Sequence, residues 1–125
     1  MKILITLLVL FFSNSVFAEW ILISEDEDSN YSIDYNTIKK ESGFAEFWNM
    51  ENYVTGLGDD TKIMSSINLL RTDCNSKRIK YLYSFLFSNK NGKGEIFHTI
   101  LIPDDSWTTF NRTSHFGKMH SEACD

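Results

Sequence analysis

Only two cysteines occur in this chain, and both lie in its second half. Cys74 is in a polar turn, and the segment that follows it, residues 79–87, carries an apolar residue at every second position. That alternation is typical of a half-buried β-strand. Cys124 is the penultimate residue. A bond between the two cysteines would fasten the C-terminal end of the chain to the turn of a central hairpin.

Residues 1–18 have the composition of a secretory signal peptide. A basic start and the apolar run at residues 3–12 precede small residues that suit the pocket of a signal peptidase. We predict cleavage between Ala18 and Glu19, which leaves residues 19–125 as a single domain. The apolar run is too short for a bilayer core, which needs about 20 apolar residues in a helix. We therefore expect an exported protein, periplasmic or secreted, with no transmembrane span after cleavage. We expect no lipid anchor either, because no cysteine lies at the cleavage point.

The mature domain is predicted to be acidic. Lys2 is the sole charged residue of the signal segment, so 11 basic side chains remain against 17 acidic ones, a net charge of −6 with histidine neutral. An acidic domain without a basic patch argues against general nucleic-acid binding and against adhesion to anionic lipid.

Six segments have the composition of β-strands. Each is rich in aromatic or β-branched residues or alternates between apolar and polar positions, and turn residues separate them. A short extension at residues 38–42 leads into a hairpin around Gly43. The predicted strands are residues 20–24, 31–35, 44–54, 62–73, 79–87 and 95–102, the last of them stopped by Pro103.

A final helix is predicted near the C-terminus, with Thr113 or Ser114 as its cap. Its apolar face is formed by Phe116, Met119, His120 and Ala123, at helical spacing. The helix is short, and Gly117 costs it about 1 kcal/mol relative to alanine. The predicted fold class is therefore α+β: about six antiparallel strands, mostly a meander, with a C-terminal helix packed on one face. We expect that helix to cover the aromatic stripe of residues 79–87.

A disulfide between Cys74 and Cys124 is the favoured use of the two cysteines. Export implies an oxidising compartment, where a lone cysteine pair in a small domain is more often a disulfide than a metal pair or a nucleophile. Bonded to Cys74, Cys124 would hold the marginal final helix onto the sheet.

Several features of the mature chain occur in the order found in a known family. They are Trp20, Tyr31, Ser32, Ile33, Asp34, Thr37, Ile38, Trp48, Asp73, Cys74, Arg78, Gly92, Lys93, Gly94, Trp107 and Cys124. The spaced combination, above all Asp-Cys-x-x-x-Arg with a terminal cysteine, resembles the bacterial surface-adhesin protein E family over essentially the whole mature chain.

The resemblance implies an antiparallel sheet whose C-terminal helix is tethered by a disulfide, with Cys74 and Cys124 at the matching positions. It also implies attachment to host extracellular-matrix and serum proteins, and haem binding in the adhesin that gives the family its name. That adhesin is lipid-anchored at the outer membrane, whereas this chain has no cysteine for lipidation.

The sequence offers two further sets of candidate contact residues. Three histidines could meet in space as a haem or metal ligand set, although surface or interface histidines are the plainer interpretation of their spacing. A local basic cluster on this acidic protein is the natural place for an acidic partner. The histidines are His98, His115 and His120; the basic residues are Lys77, Arg78 and Lys80.

These observations favour a small exported binding or adhesion-type protein that works through surface contacts with a host or envelope protein. The first alternative is a periplasmic accessory domain of structural or assembly type, docked through an edge strand, and the same edge could form a homodimer. The second is a haem or metal binder that uses the three histidines; otherwise no cofactor is expected. We predict no enzymatic activity, because no nucleophile, base and orienting residue occur in a recognisable spacing.

Overall fold

The computed structural model describes residues 18–57, 62–101 and 107–125. The predicted signal peptide up to residue 17, the predicted strand end at Pro103 and the side chain of His98 lie outside the described residues.

The described residues form one antiparallel sheet of eight strands and one α-helix. The strands are β1 (Trp20–Glu25), β2 (Ser29–Asp34), β3 (Lys39–Glu41), β4 (Phe44–Tyr53), β5 (Ser65–Asp73), β6 (Arg78–Asn89), β7 (Lys93–Leu101) and β8 (Thr108–Thr109), and the helix is α1 (His115–Cys124).

The strands follow one another across the sheet in the order β1-β2-β4-β5-β6-β7. Short β3 pairs with β4, and β8 pairs with β6. This order confirms the predicted meander, and β3 lies in the predicted extension before Gly43. The two-residue strand β8 was not predicted. Thr108 and Thr109 pair with Ile79 and Arg78 of β6.

Helix α1 packs on one face of the sheet, as predicted. Met119 and Ala123 are fully buried against a cluster of apolar side chains from four strands. Met119 and Ala123 are separated by one helical turn, so both point at the sheet. The cluster on the sheet consists of Ile33, Ala45, Phe47, Leu70 and Ile79.

The predicted disulfide is confirmed. Cys74 and Cys124 are bonded, with their Cα atoms 5.6 Å apart. The Lys40 ammonium, on β3, donates to the backbone carbonyl of Cys124 at 3.1 Å. The last turn of α1 is thus held to the sheet by one covalent bond and one charged hydrogen bond.

A β-bulge in β6 shows that the predicted position of the aromatic stripe was wrong. Leu69 pairs with Tyr83 but Leu70 pairs with Tyr81, so Leu82 is an extra residue on β6. Directly opposite residues of two strands share a face, and an extra residue reverses the alternation beyond it. Tyr81 therefore lies with Leu70 under the helix, whereas Tyr83 lies with Leu69 on the opposite face.

Helix α1 begins at a turn that accepts only glycine. Ser114 is the N-cap, and its Oγ accepts from the backbone N–H of Gly117 at 3.1 Å. A Cβ at position 117 would overlap the backbone carbonyl oxygens of Asn111 and Arg112. The expected propensity cost of Gly117 is therefore accompanied by a close backbone approach that no other residue permits.

We expect Gly117→Ala to lower the free energy of unfolding by about 1–3 kcal/mol, because overlap with backbone cannot be relieved by a rotamer change. This would happen even though alanine is the better helix former by about 1 kcal/mol. Urea denaturation measures it. Ser121→Ala, on an exposed position of the same helix, should change the value by less than about 0.5 kcal/mol. If Gly117→Ala stabilised the protein, the close approach of the Asn111 and Arg112 carbonyls to position 117 would be contradicted.

Candidate functional site

The sheet has a face opposite the helix, which we call the far face. Its side chains come from β4, β5 and β6, and the bulge places the C-terminal half of the aromatic stripe there. Tyr83 is 41% exposed, and its neighbours Trp48, Leu69 and Phe85 are half-buried. The far face includes Phe44, Glu46, Trp48, Ile67, Leu69, Arg71, Arg78, Lys80, Tyr83, Phe85 and Phe87.

Aromatic rings on the far face are paired with one another and with cations. Trp48 and Phe85 stack with ring centroids 6.1 Å apart. The Arg71 guanidinium lies 4.4 Å from the centroid of Phe44. Phe44 is in turn 6.1 Å from Trp107. Such contacts keep the side chains rigid, which lowers the entropy that a partner would have to remove on binding.

A cavity of about 350 Å³ lies beside Phe44, between the far face and β3. Arg71 lines it, and the buried Nε of Arg71 has no hydrogen-bond partner among the described residues. A buried donor without an acceptor costs about 1–3 kcal/mol.

The Asp-Cys-x-x-x-Arg motif builds the rim of the far face. Asp73 Oδ2 accepts from Arg78 Nε at 3.1 Å and pairs with Arg78 Nη2 at 3.0 Å. The backbone N–H of Asn75, together with Arg78, holds the pKa of Asp73 below its usual value. The guanidinium of Arg78 then lies 4.4 Å from the centroid of Trp107. The motif thus joins the turn before β6 to Trp107.

The predicted basic cluster is divided by this arrangement. Arg78 is held by Asp73 and Trp107, and Lys80, only 6% exposed, has its ammonium 4.7 Å from the centroid of Trp107. Lys77 is exposed on the turn between β5 and β6. Lys77 alone of the three is therefore a solvated cation available to an acidic partner.

His115 joins the first hairpin to the helix. Its Nε2 lies 2.7 Å from Asp26 Oδ2, its Nδ1 lies 2.6 Å from Ser24 Oγ, and its ring stacks on Tyr31 with centroids 4.2 Å apart. The hydrogen bond from His115 is the main cause that lowers the pKa of Asp26. The described structure thus brings together a serine, a histidine and an aspartate that no sequence spacing indicated.

This Ser-His-Asp chain is oriented opposite to that of a serine hydrolase. In the hydrolases the serine meets substrate and the aspartate is buried. Here Ser24 is 4% exposed, whereas the Asp26 side chain is 46% exposed. A hydroxyl without access to substrate cannot act as a nucleophile, so the arrangement serves to connect β1 and α1.

His120 lies at the other end of α1. Its Nδ1 is 2.7 Å from Thr72 Oγ1 and its ring packs on Phe110. Burial lowers the pKa of His120, so the ring is neutral at pH 7. The residues that the structure describes contain no group of three or more histidine, cysteine, aspartate or glutamate side chains placed to hold a metal. The haem and metal alternative stays a prediction, since the His98 side chain lies outside the described part.

A buried carboxylate lies under the helix side of the sheet. Glu51 is 6% exposed. Its Oε2 accepts from Tyr81 Oη at 2.6 Å, Asn49 Nδ2 at 3.1 Å and Asn68 Nδ2 at 3.3 Å, and its Oε1 accepts from Tyr53 Oη at 3.2 Å. Burial raises the pKa of Glu51 and also the pKa of Tyr53 and Tyr81, so both phenols remain donors.

Comparison with known proteins identifies the family of the chain. None of the described helices is long and apolar enough to cross a membrane. A search of curated proteins finds no match to the chain. The profile of the family described as surface-adhesin protein E matches residues 20–125, from the first residue of β1 through the second cysteine. The chain therefore belongs to the surface-adhesin protein E family.

Proposed function

We propose that this protein is exported and acts as a non-enzymatic adhesion-type protein, with the far face as its contact surface for a protein partner. The observation that carries the proposal is the position of Trp48, Leu69, Tyr83 and Phe85 on the face that α1 does not cover. Aromatic residues are enriched at the centres of protein interfaces because they supply large contact areas with few rotatable bonds. Family membership supports the same conclusion.

The composition around the aromatic residues also fits a protein partner. Arg71 and Arg78 flank the apolar patch, and arginine is the charged residue most often found in interface hot spots. The predicted signal peptide would direct export and be removed after Ala18, and the domain would act in the periplasm or outside the cell.

The experiment compares binding by the native protein and by Tyr83→Lys to purified extracellular-matrix proteins, using surface plasmon resonance. We expect Tyr83→Lys to weaken the binding more than tenfold, because it places a strongly hydrated charge at the centre of the apolar patch. Equal binding by the two proteins, or no binding by the native protein to any matrix protein, would contradict the proposal.

A matched control comes from the edge of the sheet. Ile96, on β7, is 57% exposed, and β7 pairs only with β6 within the described chain. Ile96→Lys introduces the same charge as Tyr83→Lys, but on the edge strand, three strands from Trp48 and two from Leu69. It should therefore leave matrix binding unchanged.

The edge of β7 also supports the accessory-domain alternative. Ile96 and Phe97 are both exposed there, and an unpaired strand edge is a template for a further strand. In that case a defined envelope partner would bind the native protein and Tyr83→Lys equally, and Ile96→Lys would abolish the binding. Analytical ultracentrifugation of the same variants tests a homodimer formed through this edge.

A further inference from the structure

The disulfide forms part of the wall of a cavity between the turn after β5 and helix α1. The cavity has a volume of about 510 Å³, and Cys74, Cys124 and His120 all line it. Two exposed cations, Lys77 and Arg112, line it as well, together with one acidic residue, Asp125. Neither cation has an ion-pair partner in the part of the chain that the structure describes. A small molecule with carboxylates can therefore meet both cations beside the sulfur atoms.

The hydrogen bonds of Thr72 determine which ring nitrogen of His120 carries the hydrogen. The Thr72 hydroxyl donates its single hydrogen to the backbone carbonyl of Arg78 at 3.1 Å. Its Oγ1 must then accept from His120 Nδ1, at 2.7 Å, so this nitrogen carries the hydrogen. The same Nδ1 is 3.8 Å from Cys124 Sγ. An N–H donor is thus fixed beside one of the two sulfur atoms and not beside the other.

We propose that the Cys74–Cys124 bond is a site of thiol–disulfide exchange with a small acidic thiol of the glutathione class. The thiolate forms a bond to Cys74 Sγ as the bond between the two cysteines breaks. Cys124 leaves with the electron pair as a thiolate, and the single hydrogen on His120 Nδ1 is then shared between this thiolate and Thr72 Oγ1. One disulfide replaces another, so no further oxidant or reductant is needed.

Three features of the cavity select this chemistry. The carboxylates of the incoming thiol meet Lys77 and Arg112. The leaving thiolate is the sulfur beside the N–H donor, and stabilisation of the leaving group accelerates exchange. The cavity gives the thiol access to the bond in the folded protein. Exchange would release α1 from its covalent link, which goes beyond the adhesion function and does not depend on it.

The experiment treats the oxidised protein with reduced glutathione, stops the reaction with iodoacetamide at set times and locates both modifications by peptide mass spectrometry. We expect glutathione on Cys74 and the alkyl group on Cys124, with a rate proportional to glutathione concentration. Attachment mainly to Cys124 would overturn the assignment. A rate independent of thiol concentration would overturn the proposal too, because opening of the fold would then limit the reaction.

Two sets of variants test the roles of the side chains. His120→Leu keeps apolar packing on Phe110 and removes the donor, and we expect exchange to slow about three- to tenfold. Lys77→Ser with Arg112→Ser should slow glutathione about two- to fivefold more than the neutral thiol 2-mercaptoethanol.

The matched control for the cations is Lys39→Ser with Lys90→Ser, which lowers the net charge equally but away from the cavity. It should leave the ratio of the two thiol rates unchanged. Equal ratios in both double variants would overturn the acidic-thiol assignment, even if the His120 variant did not fold.

Discussion

Replacement of both cysteines by serine should lower the free energy of unfolding by about 4 kcal/mol. The disulfide closes a segment of 50 residues, and loop entropy in the unfolded chain gives roughly this value for that length. Against a typical total stability of about 5–15 kcal/mol, this loss leaves little margin. The measurement is urea denaturation of oxidised native protein and of Cys74→Ser with Cys124→Ser.

Helix α1 should respond most strongly to the loss of the disulfide. It has ten residues, and isolated helices shorter than about 12–15 residues are marginal in water. Amide hydrogen exchange should therefore show faster exchange in α1 than in β4 and β5. A double variant within about 1 kcal/mol of the native stability, with α1 still protected, would contradict a structural role for the bond.

Glu51→Met should lower the free energy of unfolding by about 2–6 kcal/mol, the cost of two buried donors left without an oxygen acceptor. The methionine has a similar shape but no strong acceptor, so Tyr81 Oη and Asn49 Nδ2 lose the carboxylate oxygen that they bind. Asn68 keeps Asn49 Oδ1 and Ser66 Oγ as acceptors, and Tyr53 can donate to Ser66 Oγ. Each buried donor left unsatisfied costs about 1–3 kcal/mol. Denaturation by urea at pH 7 tests this, and a variant as stable as the native protein would show that the network is dispensable.

The control, Glu51→Gln, should retain the network. The amide oxygen can occupy the Oε2 position, and the amide nitrogen can donate to Tyr53 Oη. Tyr53 can then donate to Ser66 Oγ, which lies 2.7 Å away. The same donors remain satisfied without a buried charge, so this variant should be at least as stable as the native protein at pH 7.

The pH dependence of the two proteins should differ in a defined direction. Burial raises the pKa of Glu51 above its usual value of 4.5, so the folded state holds the proton more tightly than the unfolded state. This contribution to stability is fully present below the unfolded pKa and is lost as pH rises through the folded pKa. The advantage of Glu51→Gln over the native protein should grow with pH across that window. A constant difference from pH 4 to 8 would contradict a raised pKa.

The strand order, the helix and the disulfide were predictable from the sequence. Alternation of apolar residues and a capped helical face each depend on a few neighbouring residues. The disulfide joins distant residues, but two cysteines allow only one pairing within the chain. The bulge at Leu82 was not predictable in this way. Every second residue from 79 to 87 is apolar, so this period of two contains no mark of the extra residue. Both faces of β6 meet apolar neighbours, which allows the reversal without exposing the core.

The pattern of residues along β4 contains a signal for the buried hydrogen-bond network around Glu51. Asn49 and Glu51 share the parity of Ala45 and Phe47 along β4. Polar residues on the buried side of a strand indicate either a hydrogen-bonded network or a site, because an unpaired one would be too costly. The link from Ser24 through His115 to Asp26 had no such signal, since His115 is about ninety residues away in the chain.

The bulge also has an evolutionary consequence. If β6 straightened without losing a residue, Leu82 would take a regular pairing position, and Tyr83, Phe85 and Phe87 would then turn toward the helix. The length of the strand would not change, yet the surface offered to a partner would lose its aromatic centre. Within such a fold, a substitution that removes the bulge in β6 is thus a short route to a different binding preference.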